Sequence, residues 1–372
     1  MTESVYLDHN ATSPIRPEAA GAVAAAFGVV GNASSVHRFG RDARRLIEDA
    51  RETVAALVWA EPADVVFTSG GTEANNLALT GAGRPRILAS AIEHVSVLAA
   101  ATDIEVLAVD QHGIVDLRVL EAKLAADPRP ALVSVMLANN ETGVIEPIEE
   151  VVAVARRFGA LVHCDAVQAA GKRPMRMHDL GVDLLSLSAH KFGGPQGVGA
   201  LVVGASAAVL PMIRGGGQER GRRGGTESVP AIAGFGAAAV AALADESATL
   251  GAWRDRLEAR ALAAVPGARV FGVGAPRLAG TSCLAMPGVS AETQVMALDL
   301  AGVAVSAGAA CSSGKVKASH VLQAMGASVS DAASAIRVSF GWSSREPDAE
   351  RFVQAWTRLH RRLTTGARAS AA

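Results

Sequence analysis

The chain is poor in cysteine, with three in 372 residues. Cys164, Cys283 and Cys311 are an odd number, with neither a C-x-x-C pair nor a metal-like spacing among them. That pattern argues against a disulfide framework and predicts reduced thiols. Cys164 and Cys283 lie inside apolar runs and read as inert core residues. An excess of either charge is also missing, since the formal net charge is −1. Such a balance argues against nucleic acid or an anionic membrane as the main partner. No window approaches the roughly 20 uninterrupted apolar residues of a membrane-spanning helix. The apolar run 21–27 near the N-terminus lacks the basic leader of a signal peptide. A cytoplasmic protein without metal is expected, and no internal repeat is found.

What the chain does have is apolar material. Half of its residues are hydrophobic, enough for a full core, and the length favours two domains. Residues 41–58 read as an amphipathic helix, with Ala43, Leu46, Ile47, Ala50, Val54 and Leu57 on one face. Strand-like runs follow at 65–68, 87–90, 105–109, 131–137, 161–164, 184–188 and 200–203. Helical segments separate most of them, starting at Thr72 and covering about 95–101, 117–126 and 148–158. This alternation predicts an α/β fold with a mostly parallel sheet covered by helices, and ligands at the carboxyl ends of its strands. One long Ala-rich helical stretch is expected over 237–264. Beyond it, strands at 269–271, 283–286, 304–306 and 337–340 interleave with helices at 292–300 and 348–363. We divide the chain into a large domain, 15–245, and a small α/β domain, 246–372, joined by the N-terminal arm 1–14. The small, polar tail 364–372 is expected to be disordered.

Lys191 closes the run Ser186-Leu187-Ser188-Ala189-His190-Lys191 against Phe192-Gly193-Gly194. An amine at a strand mouth is an exposed charge or, if desolvated, a nucleophile of lowered pKa suited to a Schiff base. Asp165 ends the strand 161–164, with Gln168 three residues on. It is a turn cap or ion-pair partner, or a carboxylate that keeps a ring nitrogen protonated. The separation from Lys191 leaves room for one crossover, which would place both at neighbouring strand ends. His94 is a helix-start residue, a stacking partner for a flat ring, or a proton shuttle.

Ser69-Gly70-Gly71-Thr72-Glu73 joins a strand to a helix and offers an anion site, or a plain turn capped by Thr72. Asn139-Asn140-Glu141-Thr142-Gly143 closes another strand, and turn chemistry alone accounts for it. The segment from Gly215 to Glu227 is rich in glycine and arginine and cannot be core. It could wrap a phosphate or a partner subunit, or be a mobile loop. Cys311 sits among small residues near Lys315, Lys317 and His320, which favour thiolate if the loop is exposed. Arg337 enters a hydrophobic strand, as a salt-bridge partner or a bidentate clamp for a carboxylate.

The order of these segments resembles the cysteine desulfurases, pyridoxal 5'-phosphate (PLP) enzymes of the fold-type I aminotransferase superfamily, class V. The resemblance runs from Tyr6-Leu7-Asp8-His9-Asn10-Ala11-Thr12 to the last predicted helix. It is carried by Thr68-Ser69-Gly70-Gly71-Thr72-Glu73, Asn139-Asn140-Glu141-Thr142-Gly143, Ser188-Ala189-His190-Lys191 and Gly215-Gly216-Gly217-Gln218-Glu219-Arg220. The loop 306–313 is similar to that of the group with the longer cysteine loop.

The resemblance implies Lys191 as the lysine that carries the cofactor and Asp165 as partner of its ring nitrogen. His94 would stack on the ring and Gln168 would bond its phenolic oxygen. Gly71, Thr72, Ser188 and His190 would hold the phosphate, with Thr226 reaching in from the second subunit of a homodimer. Asn140 and Arg337 would bind the carboxylate of L-cysteine, and Cys311 would accept sulfur as a persulfide while alanine is released. The sulfur would pass to an acceptor protein, for iron–sulfur cluster assembly or another relay. The chain ends soon after Leu363 without the extension that docks the scaffold protein in housekeeping members, so delivery by that mode is not expected. The alternatives are a selenocysteine lyase, another class V aminotransferase, or a non-catalytic sulfur-relay scaffold.

Overall fold

The computed structural model describes residues 4–245, 247–308 and 318–370. The chain opens with β1 (Val5–Tyr6), α1 (Pro17–Phe27) and α2 (Arg38–Val58). Then come β2 (Val65–Thr68), α3 (Gly71–Gly81), β3 (Arg86–Ser90), α4 (Val95–Leu98), β4 (Ile104–Leu107) and α5 (Leu117–Ala126). The sheet is completed by β5 (Ala131–Ser134), α6 (Ile148–Arg157), β6 (Leu161–Asp165), α7 (Met177–Leu180), β7 (Leu184–Ser188) and β8 (Gly199–Val203). These seven strands lie in the order β2-β8-β7-β6-β5-β3-β4. The neighbours from β7 through β4 are parallel, and β8 runs antiparallel to both β2 and β7. Six of the strands are buried at every position (β2, β3, β5, β6, β7 and β8), as expected for a sheet covered on both faces.

The remaining elements are α8 (Val229–Ala242), α9 (Ser247–Ala264), β9 (Arg269–Phe271), β10 (Thr281–Ala285), α10 (Ala291–Leu300), β11 (Val303–Ala304) and β12 (Ser306–Ala307). After them come α11 (His320–Ala324), α12 (Val329–Ala333), β13 (Ala335–Ser339) and α13 (Glu346–Ser370). An antiparallel sheet, β12-β13-β10-β9, has its own core around Trp356, Phe352, Phe340 and Ile336. The arm reaches it: β1 pairs with β11, and Asp8 bridges to Ser339.

Four expectations change. The Ala-rich stretch is two helices, because the chain turns after Leu243 and Asp245 is held there by the Arg16 guanidinium. The strand expected at 304–306 is split at Val305, with β11 pairing to the arm and β12 to β13. The tail expected to be disordered continues α13 as far as Ser370, where Thr364 Oγ1 donates to the carbonyl of His360 in the helical pattern. The helix expected near 95–101 is only α4, ending at the Ala99 cap.

Candidate active site

A cavity of about 420 Å³ opens at the carboxyl ends of β5, β6 and β7. Asp165 ends β6 and Ser188 ends the parallel neighbour β7, with Asp165 in register with Ser186. A single crossover therefore separates Asp165 from the short turn Ala189–Lys191. The Asp165 carboxylate is buried and held without a cation, accepting from Asn75 Nδ2 at 2.8 Å and Val167 N at 2.9 Å.

Lys191 is half-buried rather than exposed, and its Nζ donates to the carbonyls of Asn10 (2.7 Å) and Ala11 (2.9 Å). Desolvation lowers its pKa to about 8, with Arg337 acting the same way against Asp165 and Asp8. An appreciable share of the amine is thus neutral, and nucleophilic, near pH 7 to 8.

The helix-start reading of His94 holds, and the same residue lines the cavity. It is the N-cap of α4, with Nδ1 accepting from Ser96 N at 3.1 Å. That bond places the imidazole proton on Nε2. Burial lowers its pKa, opposed by Asp165, so the ring is neutral near pH 7.

The turn into α3 is capped differently from the sequence expectation. Its N-cap is Gly70, at φ 155°, rather than Thr72, and no side chain caps it. Glu73 instead folds back, its carboxylate accepting from Ser69 N at 2.7 Å and from the Arg223 guanidinium. A β-carbon on Gly71 would come within 2.8 Å of Val167 Cγ2, so any larger residue here would have to displace that side chain. The uncapped start of α3 faces the cavity with Thr72, Ser188 and His190 beside it. His190 Nδ1 lies 3.1 Å from Thr12 Oγ1, and burial lowers its pKa to about 4. Together these groups make a neutral, donor-rich end suited to an anion.

The segment 215–227 is not wholly free of the core. Glu219 is buried in it, accepting from both Nη atoms of Arg51 and from Phe67 N. Arg51 sits under the sheet and needs that carboxylate. Thr226, from the same segment, is exposed and does not line this cavity.

On the opposite wall, Arg337 of β13 donates from Nη2 to Asp8 Oδ1 (2.8 Å) and from Nη1 to the Asn140 carbonyl (3.0 Å). The plain salt bridge therefore exists, yet the buried Nε has no partner among the described residues. Asn140 and Gln168 both line the cavity. Residues given no cavity role from the sequence also line it, Asn10, Asn75, Glu141 and His320, and Lys172 lies just behind. Asn10 lies in a motif that signalled resemblance but no role, and the Lys172 signal is only its place four residues after Gln168.

Cys311, with Lys315 and Lys317, lies outside the described residues. The flanks of that segment reach the cavity, which Gly308 and His320 line, and Ser319 Oγ donates to Glu141 Oε2 at 2.6 Å. Cys164 and Cys283 are fully buried, and desolvation raises both thiol pKa values, leaving them unreactive as expected.

The family model for aminotransferase class V matches residues 5–352. The chain belongs to the class-V aminotransferase family. It is 44% identical over 367 residues to a protein named cysteine desulfurase in Cereibacter sphaeroides, covering 95% of this chain and 94% of the relative. It is 40% identical to an IscS-like cysteine desulfurase of Mycobacterium tuberculosis, over 93% of both chains. Among solved structures, a NifS-like protein from Rickettsia africae superposes with a TM-score of 0.89 at 35% identity, covering 96% of this chain and 99% of that one. The fold is that of these NifS-like structures. Among the described residues, no helix is long and apolar enough to cross a membrane, and no His, Cys, Asp and Glu cluster could hold a metal.

Proposed function

We propose that the protein is a cysteine desulfurase, converting L-cysteine to L-alanine and transferring the sulfur to Cys311 with the aid of PLP. The observation that carries this reading is the pairing of the desolvated Lys191 amine with the Asp165 carboxylate at adjacent strand ends of one cavity. The likeness over nearly the whole chain to proteins named cysteine desulfurase supports it.

The residues present fit the cofactor. The amine has a lowered pKa, the carboxylate is free of any cation, and the glycine turn leaves no room for a side chain. PLP supplies an aldehyde that captures amines and a ring that stores the electron pair of a broken Cα–H bond. Lys191 would attach to it and then move the substrate α-proton at Nζ. Asp165 would hold a proton on the ring nitrogen, and His94 would be the stacking partner. Gln168 would donate to the phenolic oxygen. The start of α3 with Gly71, Thr72, Ser188 and His190 would hold the phosphate, and Thr226 of a second copy would join them in a homodimer.

Arg337 and Asn140 would bind the substrate carboxylate. The Cys311 thiolate would attack the substrate sulfur, forming an S–S bond as the C–S bond breaks. The electron pair stays with the carbon skeleton, which takes up protons and leaves as alanine. In this reading residues 15–245 form the cofactor domain, and 246–372 with the arm 1–14 form the small domain that presents Cys311. The working compartment is the cytoplasm, and the final acceptor is a sulfur-carrying protein.

Purified protein tests this directly. A visible Schiff-base band, present as isolated or restored by added PLP, is expected, together with alanine release from L-cysteine. Absence of any such band would sink the reading.

A further inference from the structure

Lys172 lies outside the roles proposed above. It follows Gln168 by one turn of chain and borders a second, smaller cavity of about 180 Å³ behind Lys191, rather than the main one. Its Nζ donates to Gln168 Oε1 at 2.8 Å and to Asn10 Oδ1 at 2.7 Å. A lysine nitrogen donates up to three hydrogens, whereas an amide can offer either its oxygen or its NH2 to a neighbour. Both amides turn their oxygens toward Lys172. The consequence for Gln168 is that its Nε2 faces the other way, with one N–H donated to the Asn10 carbonyl at 2.9 Å. The other N–H is left for an acceptor in the main cavity, which Gln168 lines. For Asn10, the NH2 is directed at the Asn140 carbonyl (3.2 Å) and Thr281 Oγ1 (3.0 Å).

We propose that Lys172 is a positioning residue that sets the orientation of the Gln168 and Asn10 amides, so that the cavity receives a donor from Gln168 and a fixed arm from Asn10. The inference rests on the functional reading above, in which Gln168 meets the phenolic oxygen of the cofactor. Burial, with Lys191 and Arg337 nearby, pushes the Lys172 pKa well below that of an ordinary lysine. Whether ammonium or amine, Lys172 has at least two N–H groups for the two amide oxygens it meets.

A double-mutant cycle on the holoenzyme tests this, reading the dissociation constant of PLP and the position of the visible band. Lys172→Met should weaken cofactor binding on the order of tenfold and shift the band when Gln168 is intact. In a Gln168→Ala background the same substitution should cost less than about twofold. Equal losses in both backgrounds, or no loss in either, would overturn the assignment. Lys172→Arg retains only donors and should stay within about twofold of wild type. A loss with Arg as large as with Met would also overturn it. If Lys172→Met fails to fold, Lys172→Gln, which can present either end, should lose about threefold, and wild-type affinity there would contradict the proposal. A wild-type protein that binds no cofactor sinks the functional reading itself, whereas wild-type binding unaffected by Lys172→Met sinks only this inference.

Discussion

The cavity wall on the seven-stranded sheet holds its charged groups in hydrogen bonds and leaves one amide oxygen, Asn75 Oδ1, without a partner among the described residues, whereas the wall from the four-stranded sheet leaves a cationic donor, Arg337 Nε, without one. On the first wall, Asp165, Gln168 and Lys191 each have hydrogen-bond partners within 3.0 Å. On the second, Arg337 is held by Asp8 and Asn140 but keeps one donor unmatched. An unmatched buried donor costs roughly 1–3 kcal/mol. A preorganised wall suits a group that stays bound through every turnover, and an unmatched one suits a group that enters and leaves each time. In the proposed reading, the large sheet retains the cofactor and the small one captures the substrate carboxylate.

The largest expected effect breaks the first wall. Lys191→Ala should abolish the visible band and lower the rate of alanine formation by on the order of a thousandfold or more, measured by absorbance and by amino-acid analysis. The matching change on the second wall should separate cleanly from it. Arg337→Met should raise the KM for cysteine about 10- to 100-fold while the band and cofactor retention stay as in wild type, and Arg337→Lys should recover only part of the loss. Loss of cofactor from the Arg337 variants would erase the distinction between the walls.

The pH dependence of cofactor capture sharpens the comparison. Because the Lys191 pKa is lowered to about 8, the neutral amine gains a decade per pH unit below that value and saturates above it. The rate at which apoprotein takes up PLP, followed by stopped-flow absorbance, should therefore climb about tenfold per unit up to pH 8 and then level. An ordinary lysine would keep climbing to about pH 10. The smallest effect is expected from Gly71→Ala, where the added carbon presses on Val167 Cγ2. A loss of about threefold to tenfold in cofactor affinity, with the KM for cysteine unchanged, would be seen by titration.

Much of the first wall was legible because each of its residues stands at the end of a strand with clear apolar patterning. Asp165 and Lys191 are separated by one parallel crossover, so strand order alone brings them together. What escaped the sequence depends on distant pairing. Lys172 acquires its role through Asn10, 162 residues away, and Glu219 through Arg51, 168 residues away. Neither link leaves a periodic trace. The Ala-rich stretch misled for a related reason: its break carries no Gly or Pro, and the contact found there is Asp245 with Arg16, 229 residues away.

The central claim is that sulfur leaves the substrate for Cys311. Holoenzyme would be incubated with L-cysteine, and the mass of the peptide containing Cys311 measured alongside free alanine. The account predicts one added sulfur on that peptide with alanine released, and no sulfur on Cys164 or Cys283. Alanine released at the wild-type rate by a Cys311→Ala variant, or a Cys311 peptide of unchanged mass in turnover, would contradict it.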